Sequence, residues 1–324
     1  MLGKGPISGM DLFPSKARAT PGGIHLYYLD PDRTPFLYTV REMAARHESL
    51  NVTVDQIVGM ETFEERFLRG ELDVICEHSR FLYPARLKGH DVRCLAACQR
   101  PESKLLVAPD IGAVTDLRGK TIAIRATPQS RISGTYWMRR LGLDRDNRLL
   151  YVEDAEVGRW QQWRKVASGD AHAVIATPLY EDAALAAGLH QLHVPPLPEV
   201  GQIVFAVLAS FAAAHDDALH RLVRAVYRAI DLIRGDAEAA LEIMRGEPAR
   251  LMRTKIAGEA DLRTQYARIR DSIGPSAIPT PEALQVEFEL LNEGYVPLDD
   301  LNPLSLWDMH YAIAAEEARR ARAL

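Results

Sequence analysis

Gly70-Glu71-Leu72-Asp73-Val74-Ile75-Cys76-Glu77-His78-Ser79 and Gly169-Asp170-Ala171-His172-Ala173-Val174-Ile175-Ala176-Thr177 stand 99 positions apart and read alike. Each is a glycine turn, an apolar run of strand length, and polar residues where that strand must end. Each follows a helical stretch, Phe63 to Arg69 in one case and Gln161 to Ser168 in the other, and each leads into a further helix. Two such β-α units predict two similar lobes, and two lobes predict a cleft between them.

The rest of the chain fits that plan. Its 324 residues are large for one core and comfortable for two. Ile24 to Leu29 is an apolar, aromatic run suited to a buried strand, and Thr34-Pro35 then reads as an N-cap with proline at the first helical position. Val52 to Val58 alternates, Glu61 to Arg69 is a short helix, and Leu72 to Cys76 is the third strand. Val92 to Cys98 and Lys104 to Ala108 are further strands. Beyond them, Thr121 to Arg125, Leu149 to Val152 and Ala173 to Ala176 read as strands, with helices over Ser130 to Leu141, over Val157 to Ser168 and from Thr177-Pro178. Leu192 to Val194 and Gln202 to Leu208 return toward the first lobe.

From Asp216 onward the chain reads as helical, and the last helix starts at Ser305 or Trp307. Leu219, Leu222, Val223, Val226, Ile230 and Ile233 form an apolar stripe with enough surface to serve a homo-oligomer as well as the chain's own core. The expected division is a flexible lead-in over 1–23, a first lobe over 24–110, a second over 111–198, and a return to the first lobe plus a helical tail over 199–324. Alternating strands and helices imply an α/β protein with mostly parallel sheets flanked by helices. Three strand-to-helix junctions carry Thr-Pro, at 34–35, 127–128 and 177–178. In parallel sheets ligands bind beyond the carboxyl ends of the strands, where helix N-termini offer free N–H groups.

Composition excludes some functions. A net charge of −5 provides no basic field for nucleic acid. No run of 18 apolar residues predicts a membrane span. The lead-in, with Lys4, Asp11, Lys16 and Arg18 among its glycines and prolines, does not read as a signal peptide. That points to the cytoplasm, or to the periplasm if an export signal lies outside this sequence. Cys94 and Cys98 fall on one strand, about 13 Å apart along it, too far for one metal ion or a disulfide. No Walker loop, GxGxxG, HExxH or GxSxG occurs, so no cofactor and no metal site are expected.

The order of elements resembles the type II periplasmic-binding-protein fold, and within it the superfamily of sulfonate and thiamine-precursor binding proteins. The resemblance rests on Gly70 to Val74, on Asp116-Leu117-Arg118-Gly119-Lys120-Thr121-Ile122-Ala123-Ile124, on Gly169 to Val174 and on Leu291 to Val296, and it covers residues 24 to 300. It implies two lobes with a small ligand between them. Asp30-Pro31-Asp32-Arg33-Thr34 and Glu61-Thr62-Phe63 leading into Asp73-Val74 and Glu77 look like the 4,5-dihydroxyphthalate decarboxylase branch of that superfamily, although Pro31 and His78 depart from its pattern.

Two readings follow. In the first, the chain is a cytoplasmic lyase that decarboxylates a small organic acid, aromatic on this resemblance. His78 with Glu77 would handle the proton, because an imidazole beside a carboxylate titrates near neutrality. Arg33 would hold a substrate carboxylate, flanked by Asp32, Thr34 and Ser79. Arg125, Thr127, Ser130, Arg131 and Ser133 would form an anion cradle at a helix start, with Glu153, Thr177 and Tyr180 on the same lobe. Each has a plainer reading: a structural histidine, a surface Asp32/Arg33 pair, helix caps and packing. In the second, the same cleft binds a small organic anion without chemistry, as the solute-binding component of an importer that delivers to an ABC permease. Cys76-Glu77-His78-Ser79, where the second copy has Ala176-Thr177, favours the enzyme.

Overall fold

The structure is a computed structural model that describes residues 23–57, 59–99, 102–158, 160–176, 181–195, 197–198, 202–251, 258–292 and 302–323. In chain order the strands are β1 (Ile24–Tyr28), β2 (Val52–Gln56), β3 (Val74–His78), β4 (Val92–Gln99), β5 (Glu102–Val107), β6 (Thr121–Arg125), β7 (Arg148–Val152), β8 (Ala173–Ala176), β9 (His190–Gln191), β10 (Leu197–Pro198) and β11 (Ile203–Leu208). They form two sheets, one in the order β2-β1-β3-β11-β4, the other β10-β5-β8-β6-β7 with β9 also on β5. Helices flank both sheets, which gives the expected two-lobed α/β architecture.

The sheets repeat one plan. In the first, β1 lies parallel between β2 and β3, and β11 runs antiparallel beside β3. In the second, β6 lies parallel between β7 and β8, and β5 runs antiparallel beside β8. The two copies noticed in the sequence thus become β3 and β8, in equivalent places. Burial follows position: β3 is buried at all five residues, as a central strand covered on both faces must be, whereas β2 alternates buried and exposed.

Several expected boundaries move. β3 does not stop at Cys76. It continues through His78 because β11 pairs Ile203 with His78 and Val204 with Glu77. The helix expected over 157–168 is instead two short helices, Asp154–Val157 and Arg164–Ala167. Gly158 at φ 95° and Trp160 at φ 61° break it, and both angles lie in the left-handed region that a right-handed helix cannot use. The strand expected at 192–194 is shifted to β9, which pairs with β5. Thr34 is not a cap: Arg33 holds that position, and the Thr34 hydroxyl donates to Tyr28 Oη at 3.0 Å. The Thr127 expectation agrees with the structure, since its hydroxyl accepts from the Ser130 N–H at 3.2 Å and starts the helix Pro128–Arg140.

The stripe on helix Asp216–Gly235 is taken up within the chain. Leu219, Leu222, Val223, Val226, Ile230 and Ile233 are all buried in the core that β1, β2 and helix Thr34–Glu48 share. It therefore offers no surface for the homo-oligomer the sequence left open. No helix of the described residues is long and apolar enough to cross a membrane.

Register decides where a ligand can sit. The chain enters the first sheet at Ile203, opposite His78, which is the carboxyl end of β3. It enters the second at β5, whose Lys104 faces Ala176, the carboxyl end of β8. β10 pairs with β5 at Ser103, beside that same end. Both crossings between sheets therefore leave and enter at the carboxyl ends of the parallel strands.

Candidate functional site

On the first lobe the edge is built around Arg33. The turn Pro31–Arg33 follows β1 and buries the Arg33 side chain, which is 3% exposed. Its Nη1 donates to Glu77 Oε2 at 2.9 Å and lies 3.5 Å from an Asp30 carboxylate oxygen. Burial disfavours the cation, but Glu77 and Asp30 more than offset it and hold Arg33 protonated above its ordinary range. Burial likewise pushes the Glu77 carboxyl up, with Arg33 pulling it back. The second Glu77 oxygen accepts from the backbone N–H of His78 at 2.8 Å.

This corrects the expected proton-handling pair. Both Glu77 oxygens are engaged, and Glu77 meets His78 through the backbone, because successive residues of an unbroken strand point to opposite faces. It also corrects the surface reading of Arg33, whose partners are Glu77 and Asp30 while Asp32 is exposed. Arg33 Nε is buried with no hydrogen-bond partner.

Ser79 serves the crossing. Its N–H donates to the Gln202 carbonyl at 2.8 Å, and its hydroxyl accepts from the Gln202 N–H at 3.1 Å and donates to Glu287. Gln202 Nε2 donates to the other Glu287 oxygen at 3.2 Å. Glu287 is 2% exposed, and burial pushes its carboxyl up to about 7 against the pull of these hydrogen bonds. Two residues along the same helix, Pro281–Asn292, Glu289 accepts from Tyr136 Oη at 3.3 Å, so this helix touches the first lobe's edge and a second-lobe helix.

On the second lobe the organising carboxylate is Asp154 rather than Glu153. Arg125, the last residue of β6, donates from Nε to both Asp154 oxygens at 2.9 and 3.1 Å. Asp154 Oδ1 also accepts from the Trp160 N–H at 3.3 Å and from Gln162 Nε2 at 3.0 Å, which fixes the left-handed turn. Burial opposes the Asp154 anion, and the Arg125 hydrogen bonds outweigh it, so its pKa lies below the usual carboxylate range. The Arg125 guanidinium sits 5.3 Å from the Trp160 ring centre. Glu153 is exposed, and its N–H donates to Glu156 at 3.2 Å, a helix-start role.

Ser130 is half-buried, with its Oγ 2.9 Å from that of Thr127. Arg131 is exposed, with its guanidinium 4.0 Å over the Tyr151 ring, and Ser133 is buried at 3% exposure. Thr177 and Tyr180 lie outside the described residues, as do Glu293 to Val296. The sequence reading missed Asp30, Gln202 and Glu287. Glu287 left a signal, a carboxylate at the helical spacing of the buried Leu284, Leu290 and Leu291. Gln202 left none, since only the crossing brings it to Ser79.

With this geometry the relatives can be placed. The family model described as NMT1/THI5 like matches residues 46–240, well over half of the chain. The chain belongs to the NMT1/THI5-like family. Solved structures extend the likeness. A putative periplasmic sulfonate-binding protein SsuA of a sulfonate ABC transporter from Methylobacillus flagellatus KT superposes with a TM-score of 0.69 at 14% identity, over 92% of this chain and 94% of that one. The periplasmic aliphatic sulphonate binding protein SsuA from Escherichia coli gives 0.63 at 17%, over 90% and 92%. The periplasmic nitrate-binding protein NrtA from Synechocystis PCC 6803 gives 0.57 at 13%, over 92% and 89%. A search of curated protein sequences gives no significant match.

These findings overturn the expectation of a cytoplasmic decarboxylase. The three solved structures named above, which share this fold, are periplasmic binding proteins. The Glu77 carboxylate, which the lyase reading offered as a helper to His78, is committed to Arg33 and to the His78 backbone N–H.

Proposed function

We propose that this NMT1/THI5-like chain is the solute-binding component of an ABC-type importer. It captures a small organic anion between the two carboxyl edges and hands it unchanged to a permease. The supporting observation is the matched pair of edges: two sheets of one plan, joined by crossings that pass the carboxyl ends of β3 and β8. Two of the solved neighbours are described as sulfonate-binding and one as nitrate-binding, and both ligands are oxyanions. An importer component works on the ligand-capturing side of the membrane, which replaces the cytoplasmic location.

In this reading the residues divide into contact groups and framework. Ser130 and Arg131 meet the anion at the start of helix Pro128–Arg140, through the Ser130 hydroxyl and the Arg131 guanidinium, where the helix dipole favours negative charge. His78 meets it from the first lobe, where the exposed Asp32 carboxylate would repel an anion and is no contact group, and Thr177 and Tyr180 follow β8 in the sequence. Arg33 and Arg125, each already matched by a carboxylate, position their loops. Thr34, Ser79 and Ser133 are buried and support the frame, and Thr127 and Glu153 serve helix starts.

Isothermal titration calorimetry on ligand-stripped protein tests this, with alkanesulfonates, nitrate, a thiamine-precursor pyrimidine and a hydroxylated benzene dicarboxylate as ligands. The expected result is saturable one-to-one binding of one class, with the compound recovered intact by mass spectrometry. A compound recovered chemically altered, or no saturable binding across the panel, sinks the proposal.

A further inference from the structure

A second cluster stands at the opposite end of the first sheet. β11 runs antiparallel to β3, so its last residue, Leu208, is at the amino end of β3, away from the edge that carries Glu77. Helix Asp216–Gly235 begins shortly after it. Trp307 and Asp308 reach the same end, where Asp308 N–H donates to the Cys94 carbonyl at the start of β4, and helix His310–Ala323 follows. Here Asp216, His220 and His310 each present a ligand atom within 4.8 Å of the others. We propose that these three side chains bind one divalent transition-metal ion and thereby staple the C-terminal helix to the first lobe.

The geometry carries this in three ways. First, Asp216 and His220 are four residues apart on one helix and so share a face, and His220 Nε2 lies 3.9 Å from Asp216 Oδ2. His310 comes from the other helix, with its Nε2 3.9 Å from Asp216 Oδ1. Zinc bonds of about 2.0–2.1 Å in a tetrahedron require ligand atoms about 3.4 Å apart. Closing from 3.9 Å takes about 0.5 Å and from the outer limit of 4.8 Å about 1.4 Å, within the freedom of partly exposed side chains.

Second, the supporting contacts are those a metal site needs. Asp308 Oδ1 takes His310 Nδ1 at 2.5 Å, which leaves Nε2 for the ion and makes the imidazole a better donor. Tyr311 Oη donates to Asp216 Oδ1 at 2.8 Å and orients that carboxylate. Tyr311 is itself 2% exposed, so the orientation is fixed by the core.

Third, the donor set selects the ion. Two imidazoles and one carboxylate suit Zn²⁺, Co²⁺, Ni²⁺ or Cu²⁺, whereas Mg²⁺ and Ca²⁺ prefer oxygen throughout. Asp216 and His310 are more than half exposed, which leaves room for water to complete the shell. The motif search on the sequence misses this site because Asp216 and His220 lie some ninety positions from His310.

The test uses the full chain with no polyhistidine tag, dialysed against a chelator and then titrated with ZnCl₂ in competition with a colorimetric chelator. One Zn²⁺ per chain with micromolar or tighter affinity is expected, together with a rise in melting temperature that EDTA reverses. His220→Ala and His310→Ala should each abolish stoichiometric binding, and circular dichroism checks that each variant is folded. Asp308→Asn should keep the stoichiometry and weaken affinity about 10- to 100-fold, as loss of an outer-shell carboxylate does. His47→Ala, an exposed histidine elsewhere, should change nothing. Co²⁺ should give visible bands in the wild type and none in His220→Ala. Absence of stoichiometric binding, or binding that survives His220→Ala together with His310→Ala, overturns the site.

Discussion

Glu287 allows a quantitative prediction. Its carboxyl is buried against Ser79 and Gln202, and its pKa is about 7 in place of the ordinary 4.5. A raised folded pKa means that, between those two values, the folded chain keeps a proton that the unfolded chain releases. Stability from this group is therefore fully present below pH 4.5, is lost as pH rises toward 7, and levels off above. At about 1.36 kcal/mol per pKa unit, the loss is about 3 kcal/mol. Glu287→Gln keeps the shape, stays neutral throughout and escapes the loss. For a chain of this size that amounts to roughly 5 °C in melting temperature. Differential scanning calorimetry of both proteins at pH 5 and pH 8 reads it directly, because other titrating groups cancel in the comparison. The variant should gain roughly 5 °C on the wild type between the two pH values. A wild-type-to-variant difference that is constant from pH 5 to pH 8 would refute this account of Glu287.

Two further substitutions probe the edges. Arg33→Met leaves Glu77 buried without its cation and should cost about 3–5 kcal/mol in urea unfolding, and adding Glu77→Met should recover most of it; equal destabilisation in the single and double variants would contradict the ion-pair reading. Arg131→Ala removes an exposed cation from the proposed anion site. It should weaken ligand binding by about 10-fold or more at an unchanged melting temperature, as loss of a charged hydrogen bond of about 1.5–3 kcal/mol does, and calorimetric titration checks it.

Elements whose signals are local were legible in the sequence. Thr121–Arg125 and Pro281–Asn292 begin and end where their own residues say, and the Thr127 cap is visible as Thr-Pro before a helical run. Elements set by distant partners were not. β3 outruns its apolar stretch because β11 arrives 125 positions later to pair with Glu77 and His78. The helix over 157–168 fails because Asp154 ties down Trp160 and Gln162, a contact no periodicity reveals. The site was misread for the same reason. The polar end of β3 suggested proton transfer, yet Glu77 secures Arg33 and Ser79 secures the crossing at Gln202. The lobe asymmetry that pointed to an enzyme reflects how the first lobe closes its own edge.

The position of β11 also has a consequence for synthesis. The second sheet is drawn from residues 102–198 without interruption and is complete once that stretch has left the ribosome. The first sheet begins at residue 24, yet it lacks the strand that joins β3 to β4 until residue 208 has emerged. The lobe translated first is thus the one finished last, since its long-range pairing carries the larger loop-closure cost. During that interval β3 and β4 stand as unpaired edges, a state in which a nascent chain is open to chaperones and to aggregation.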